Sequence, residues 1–247
     1  MTPIAKKMKT AQLWLAAIVS FPAFAQNIAQ PSVKEGDRWN YQVTQEHGAN
    51  NWSQTHNEVI VLRATPSTIY FTAGQIGSKI PANEVFMGAD WSRIRAVNGK
   101  EMVVNRPLAF PLSVGKTWSV NYTKQHPEKH KRWEQREIKY TVLGYETLQL
   151  PAGTFKALKI EGEGRWTVEL EPSQTVVQTA QVNDSGTTMV TQANKTKGEL
   201  YTGRTYLALW YVPEVKRFIK SVEESYDNHG IRNSRETVEL ESYKLSE

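Results

Sequence analysis

The stretch from Leu158 to Glu171 constrains the fold more than any other part of the chain. Leu158, Ile160, Gly162, Gly164, Trp166, Val168 and Leu170 share one phase, and Lys159, Glu161, Glu163, Arg165, Thr167, Glu169 and Glu171 share the other. Period-two alternation separates the two sets completely, which a helix of 3.6 residues per turn does not do. The segment predicts an antiparallel strand with one buried and one wet face. Gly162 and Gly164 fall on the buried phase, where a missing side chain marks a bend or a close approach.

Other segments follow the same period. Trp39, Tyr41 and Val43 alternate after Gly36, and Val59 to Leu62 and Ile69 to Phe71 flank the turn-like Thr65-Pro66-Ser67. Ile94 to Val97 and Met102 to Val104 flank Asn98-Gly99, a strong hairpin signal. Ile138, Tyr140 and Val142 alternate, with Leu148 and Leu150 on the same phase, and Tyr206 to Val212 is a continuous apolar run ending at Pro213. Val238 and Leu240 lie on one phase, Tyr243 and Leu245 on the other; a bulge near Glu241 reconciles them. The segment from Gly36 to Thr44 resembles that from Gly115 to Thr123: a turn glycine, then a strand opening on Trp39 or Trp118. The two mark either equivalent strands in two halves of one sheet or a chance likeness. About eleven strands, dense turn signals and no amphipathic helix predict an all-β fold, a sandwich, barrel or curved antiparallel meander. No linker divides residues 26–247, which read as one domain.

The N-terminus reads differently. Lys6, Lys7 and Lys9 precede an apolar stretch from Leu13 to Phe21, followed by Pro22 and the small-residue pattern Ala23-Phe24-Ala25. This is the pattern of a signal peptide cleaved after Ala25, and the stretch is well short of the roughly 20 apolar residues of a membrane span. Cleavage removes three lysines and no acid, lowering the formal charge from +5 to +2. That balance gives little basis for nucleic acid or a membrane surface as partner. The most basic window, Lys124 to Arg136, also holds Glu128 and Glu134 and reads as a solvated hairpin tip. The chain has no cysteine, which excludes disulfides, thiol nucleophiles and a lipid-modified N-terminal cysteine. A chain of this length buries enough surface without disulfides. Export without cysteine fits a bacterial periplasm or the cell exterior.

No catalytic constellation stands out. His126 and His130 are four apart but surround Pro127, and on a strand they lie roughly 13 Å apart, too far for one ion. His47 and His56 lack a carboxylate cluster nearby, so solvated histidines are the plainer reading. There is no Gly-x-Ser-x-Gly elbow, no phosphate-binding Gly-rich loop and no dinucleotide fingerprint. No cofactor or metal is expected. The segment 172–198 is rich in Thr, Gln, Asn and Ser and reads as a polar hairpin turning at Asn183-Asp184-Ser185-Gly186: a flap, a partner surface, or a solvated excursion with no role.

The aromatic residues remain. Trp39, Tyr41, Trp118, Tyr122, Trp166 and Trp210 all fall on predicted strands, facing the buried side. Either they fill a closed core or they line an apolar cavity on the concave face of a curved sheet.

Four segments carry a resemblance: Pro111 to Trp118, Leu150 to Ile160 with its Pro151-Ala152-Gly153-Thr154-Phe155 turn, Trp210 to Arg217, and Glu239 to Tyr243. In this order they resemble the exported bacterial TapB-like domain of unknown function. The resemblance implies a curved antiparallel sheet similar to the half-barrels of the lipoprotein-localisation factors LolA and LolB, which accept acyl chains on the concave side. It implies no catalytic residue. The chain departs from the pattern at Lys216, where such proteins usually have glycine, and in its long polar hairpin. The resulting expectation is a periplasmic or secreted, non-enzymatic binding protein whose partner is a lipid or a lipoprotein. The alternative is an interaction module with a self-filled core, binding an envelope protein through its loops or the 172–198 hairpin. An enzyme acting on envelope polymers is the third reading.

Overall fold

The computed structural model describes residues 27–247 apart from Ala49, Ser173, Ser185, Thr196 and Lys197, with backbone alone for 174–183 and 187–195. The predicted leader, residues 1–25, lies outside the described residues. In chain order the strands are β1 (Arg38–His47), β2 (Asn51–Ala64), β3 (Thr68–Gln75), β4 (Asn83–Gly88), β5 (Arg93–Val97), β6 (Lys100–Asn105) and β7 (Thr117–Gln125). They continue with β8 (Lys131–Leu150), β9 (Gly153–Leu170), β10 (Gln174–Asn183), β11 (Gly186–Lys195), β12 (Leu200–Val212), β13 (Arg217–Tyr226) and β14 (Arg232–Lys244). A single 3-10 turn, Pro213–Val215, joins β12 to β13.

Ten strands form one antiparallel sheet in the order β4-β3-β2-β1-β14-β13-β12-β9-β8-β7, curved as a half-barrel and not closed. Its free edges are β4 and β7. The β5–β6 hairpin stands apart from the sheet and touches β4 and β7, so it bridges the open side. Its tip is the predicted Asn98-Gly99 turn, with both residues at positive φ. Asn98 fixes it to β7 by donating to the Thr123 carbonyl and accepting from the Gln125 amide. β10 and β11 pair with each other from Gln174↔Lys195 to Asn183↔Gly186, the polar hairpin expected from composition.

The structure has fourteen strands where about eleven were expected; β4 and β13 in particular have no readable alternation. In β13 the register shifts opposite Trp210/Tyr211, leaving Ile219 unpaired with β12, and Arg217, Ser221 and Glu223 break the apolar pattern. The bulge at Glu241 is present: Asn40 pairs with Ser242 and Tyr41 with Leu240. The two resembling segments are built alike. Gly36 donates to the Val61 carbonyl and Gly115 to that of Val142, each glycine at positive φ, and the next residue accepts from the same valine. On β9 the two glycines mark close approach. A Cβ on Gly162 would sit 2.8 Å from the Tyr140 ring, and one on Gly164 would sit 2.7 Å from the Glu137 carbonyl oxygen.

The inner face changes character along the strands. At one end Trp39, Val61, Ile69, Val142, Leu158 and Tyr211 are fully buried, and Leu108, Leu112 and Val215 from outside the sheet seal them. Burying these apolar surfaces supplies the dominant stabilisation. Towards the other end the same face carries Glu223 opposite Glu236, and Glu134, Arg136 and Lys124 on β8 and β7. The boundary between the two regions holds the candidate site.

Candidate ligand cleft

The site begins at the turn after β12. The Trp39 indole donates to the Val215 carbonyl at 2.9 Å, and the Trp91 indole donates to the Lys216 carbonyl at 3.1 Å. Lys216 sits in the left-handed region, φ 62, where glycine is normally favoured. Its Nζ lies 2.9 Å from the carboxylate of Asp37, which is fully buried and also accepts from the Lys34 and Ser246 amides. The ion pair explains the lysine at this position: without it the Asp37 charge would lack a cation inside the protein.

This anchored turn delivers Arg217 into the inner face. The residue is 8% exposed, and five aromatic rings surround its guanidinium: Trp91 at 4.5 Å, Phe218 at 5.0 Å, Tyr41 at 5.3 Å, Trp39 at 5.6 Å and Phe71 at 6.0 Å. Nε and Nη1 have no hydrogen-bond partner. Burial lowers the Arg217 pKa, opposed by its interaction with Tyr41. A desolvated cation–π contact contributes about 2 kcal/mol, whereas burying an ion costs several kcal/mol. The rings hold the charge without supplying the acceptors its N–H groups need.

Arg217 lines an inner cavity of about 200 Å³, walled by Leu207, Leu209, Ile160, Tyr140 and Val238 and rimmed by Glu223, Glu236, Arg93 and Asn105. An outer cavity of about 220 Å³ shares Arg93, Asn105, Leu207 and Glu223 with it and opens among Arg95, Lys124, Arg136, Glu134 and Tyr122. The β5–β6 hairpin roofs both. Tyr140 donates to Asn105 Oδ1 at 2.8 Å, and the Trp118 indole donates to the Arg106 carbonyl at 2.7 Å, which ties the roof to the sheet. Desolvation raises the Glu223 pKa, with a further rise from Glu236 and an opposing effect of Arg93 and Arg136. Desolvation also raises that of Tyr122.

The six aromatic residues expected to line the ligand face separate into different environments. Trp39 and Tyr41 belong to the sealed core and back the Arg217 cage; the Tyr41 hydroxyl donates to the Phe218 carbonyl. Trp118 stacks on Tyr140 with ring centroids 5.3 Å apart. Trp166 lies over Gly203, where a Cβ would come within 2.4 Å of the indole. Tyr122 lines the outer cavity. Trp210 faces the other side of the sheet, because it follows Leu209 by one residue on a period-two strand. There it is covered by Lys159 and Lys220, and its indole donates to Glu146.

Sequence reasoning missed Trp91, Arg217, Glu223 and Glu236. The available signal was the single arginine, Arg217, between the buried Val215 and Ile219. His126 and His130 are exposed, both at positive φ in the β7–β8 turn. Among the described residues no group of three or more His, Asp or Glu side chains is placed to hold a metal ion, and no helix is long and apolar enough to cross a membrane.

No protein-family model matches the chain, and no curated protein matches it. Two solved structures are similar to it. One is an inferred lipoprotein from Parabacteroides distasonis, 15% identical, with 89% of this chain and 100% of that chain covered and a TM-score of 0.46. The other is an inferred exported protein with a YmcC-like fold from Bacteroides fragilis, 14% identical, with the same coverage and a TM-score of 0.38.

Proposed function

We propose that this is an exported, non-enzymatic binding protein that holds an apolar or acylated ligand in the cleft between the inner face of the sheet and the β5–β6 hairpin. The observation that carries the proposal is the pair of adjoining cavities, apolar-walled within and charged at the mouth. That arrangement accepts a ligand with an apolar body and fixes it with few polar groups. Two of the cleft acids have local partners: Arg136 bonds to Glu134, and the Gln45 amide donates to Glu236. The N-terminal leader pattern supports export.

The likeness to LolA and LolB half-barrels belongs to the same proposal, with one difference in emphasis. One end of the concave face is filled by the protein's own side chains, so the ligand space is what remains above Arg217. A larger open trough of about 870 Å³ lies on the outer face. There Glu137 faces Arg165 and Lys139 faces Glu163 across β8 and β9, the pattern of a solvated sheet surface. It is a poorer ligand site for that reason.

Titration with an environment-sensitive apolar dye tests the proposal, comparing the natural protein with Leu207→Trp, which fills space shared by both cavities. Saturable binding that the substitution abolishes supports the cleft. Binding that the substitution leaves unchanged contradicts it.

One observation favours the interaction-module alternative. β10 and β11 form a ten-residue-per-strand ladder that pairs with no strand of the main sheet. Deleting 172–197 should remove a protein partner under that alternative while leaving dye binding intact. Under the cleft proposal the deletion leaves ligand binding unaltered.

A further inference from the structure

We infer that the inner cavity takes a carboxylate, a small or short-chain apolar acid whose anionic oxygen meets Arg217. This rests on the cleft reading and specifies the chemistry of its deepest point.

Three observations converge. The Arg217 guanidinium is 8% exposed, and Nε and Nη1 face no acceptor within the protein. Its neighbour Lys216 takes the buried carboxylate of Asp37, which leaves Arg217 facing only rings. The guanidinium also lines a cavity of about 200 Å³, the share of six or seven waters at ~30 Å³ each. Nε and Nη1 are themselves closed off from that space, so an anionic oxygen placed there would act on the charge and neutralise the one cation of the cage.

The walls select the class of anion. Leu207, Leu209, Ile160 and Val238 offer no donors and Ser221 a single hydroxyl, too few for the remaining oxygens of a phosphate, whereas a carboxylate has only two oxygens and an apolar body to set against these walls. The volume limits that body to a short chain or one ring. At the mouth Arg93, Arg95, Lys124 and Arg136 favour the approach of an anion, while Glu223 and Glu236 at the rim disfavour a second negative charge further out. A monoanion with its charge at the deep end fits both.

The test uses octanoate and octanol, which differ in charge and share a chain, titrated calorimetrically into the natural protein and into Arg217→Met. The expected result is octanoate binding at least tenfold tighter than octanol, with the preference lost in Arg217→Met. Equal affinities in the natural protein, or a preference that survives Arg217→Met, overturn the inference while leaving the apolar cleft standing. Binding of neither probe overturns both. If Arg217→Met does not fold, Leu209→Trp takes its place: it fills the space beside Arg217 and keeps the charge. Octanoate binding must then be lost, and retained binding overturns the inference.

Discussion

The Arg217 guanidinium stands 4.5 Å from the Trp91 ring with two of its nitrogens unpartnered, while the adjacent Lys216 takes the buried carboxylate of Asp37. Trp91 holds the turn that places Arg217 by donating to the Lys216 carbonyl, and it faces the side chain that the turn presents. The same residue therefore fixes the position of the cation and contributes to its cage.

A cation kept for a ligand is not kept for stability. Replacing buried ionic groups with apolar ones of similar volume is often neutral or stabilises by about 1–4 kcal/mol. Methionine also suits an aromatic surround. Arg217→Met should therefore leave unfolding in urea unchanged or shift it to higher denaturant. A loss of more than about 2 kcal/mol would make the guanidinium a structural element instead.

Lys216 behaves in the opposite sense. Lys216→Gly relieves a left-handed backbone costing about 1 kcal/mol but strands the buried Asp37 charge, a loss of about 3–5 kcal/mol. The net effect should be a clear fall in the melting temperature. Adding Asp37→Asn should recover part of it, because the buried group then carries no charge. Equal stability of Lys216→Gly and the natural protein would mean that the Asp37 ion pair contributes nothing.

Gly203 should tolerate no side chain. A Cβ there would lie 2.2 Å from the Tyr226 carbonyl oxygen and 2.4 Å from the Trp166 ring. Gly203→Ala should cost about 1–3 kcal/mol through displacement of Trp166. Tryptophan fluorescence and a denaturation curve read both effects together.

Glu223 gives the cleft a pH dependence. Its folded pKa is raised above the ordinary 4.5 by desolvation and by Glu236, against the pull of Arg93 and Arg136. Between 4.5 and the raised value the folded protein binds more protons than the unfolded chain, so stability falls as pH rises through that window. Below it the contribution is absent, and above it the full penalty is in place. Glu223→Gln should flatten this part of the stability profile and leave the protein more stable at neutral pH. An unchanged profile in the variant would remove Glu223 as its source.

The parts of the fold that the sequence made legible are those whose chemistry is two-sided. β9 was readable because each inner residue is apolar or glycine and each outer one is polar. The bulge at Glu241 was readable because a phase change between Leu240 and Tyr243 has one simple geometric resolution. β13 was not, although it lies in the middle of the sheet. Its inner face carries Arg217, Ser221 and Glu223, and the unpaired Ile219 shifts the phase partway along. The strand whose pattern fails is the one that brings the buried Arg217 into the half-barrel, so the feature that hid it belongs to the candidate site. Trp210 shows a different failure. In an all-apolar run either face looks buried, and only the covering Lys159, Lys220 and Glu146, remote or across the strand, reveal which side is outside.

The most direct test of the cleft is amide chemical-shift mapping by NMR as octanol is added to the natural protein. Binding between the inner face and the β5–β6 hairpin predicts shifts concentrated at Leu207, Leu209, Ser221 and Val238, together with the indole N–H of Trp91. Shifts confined to outer-face residues such as Lys139, Glu163 and Tyr206, or no shifts at saturating octanol, would contradict a ligand cleft inside the half-barrel.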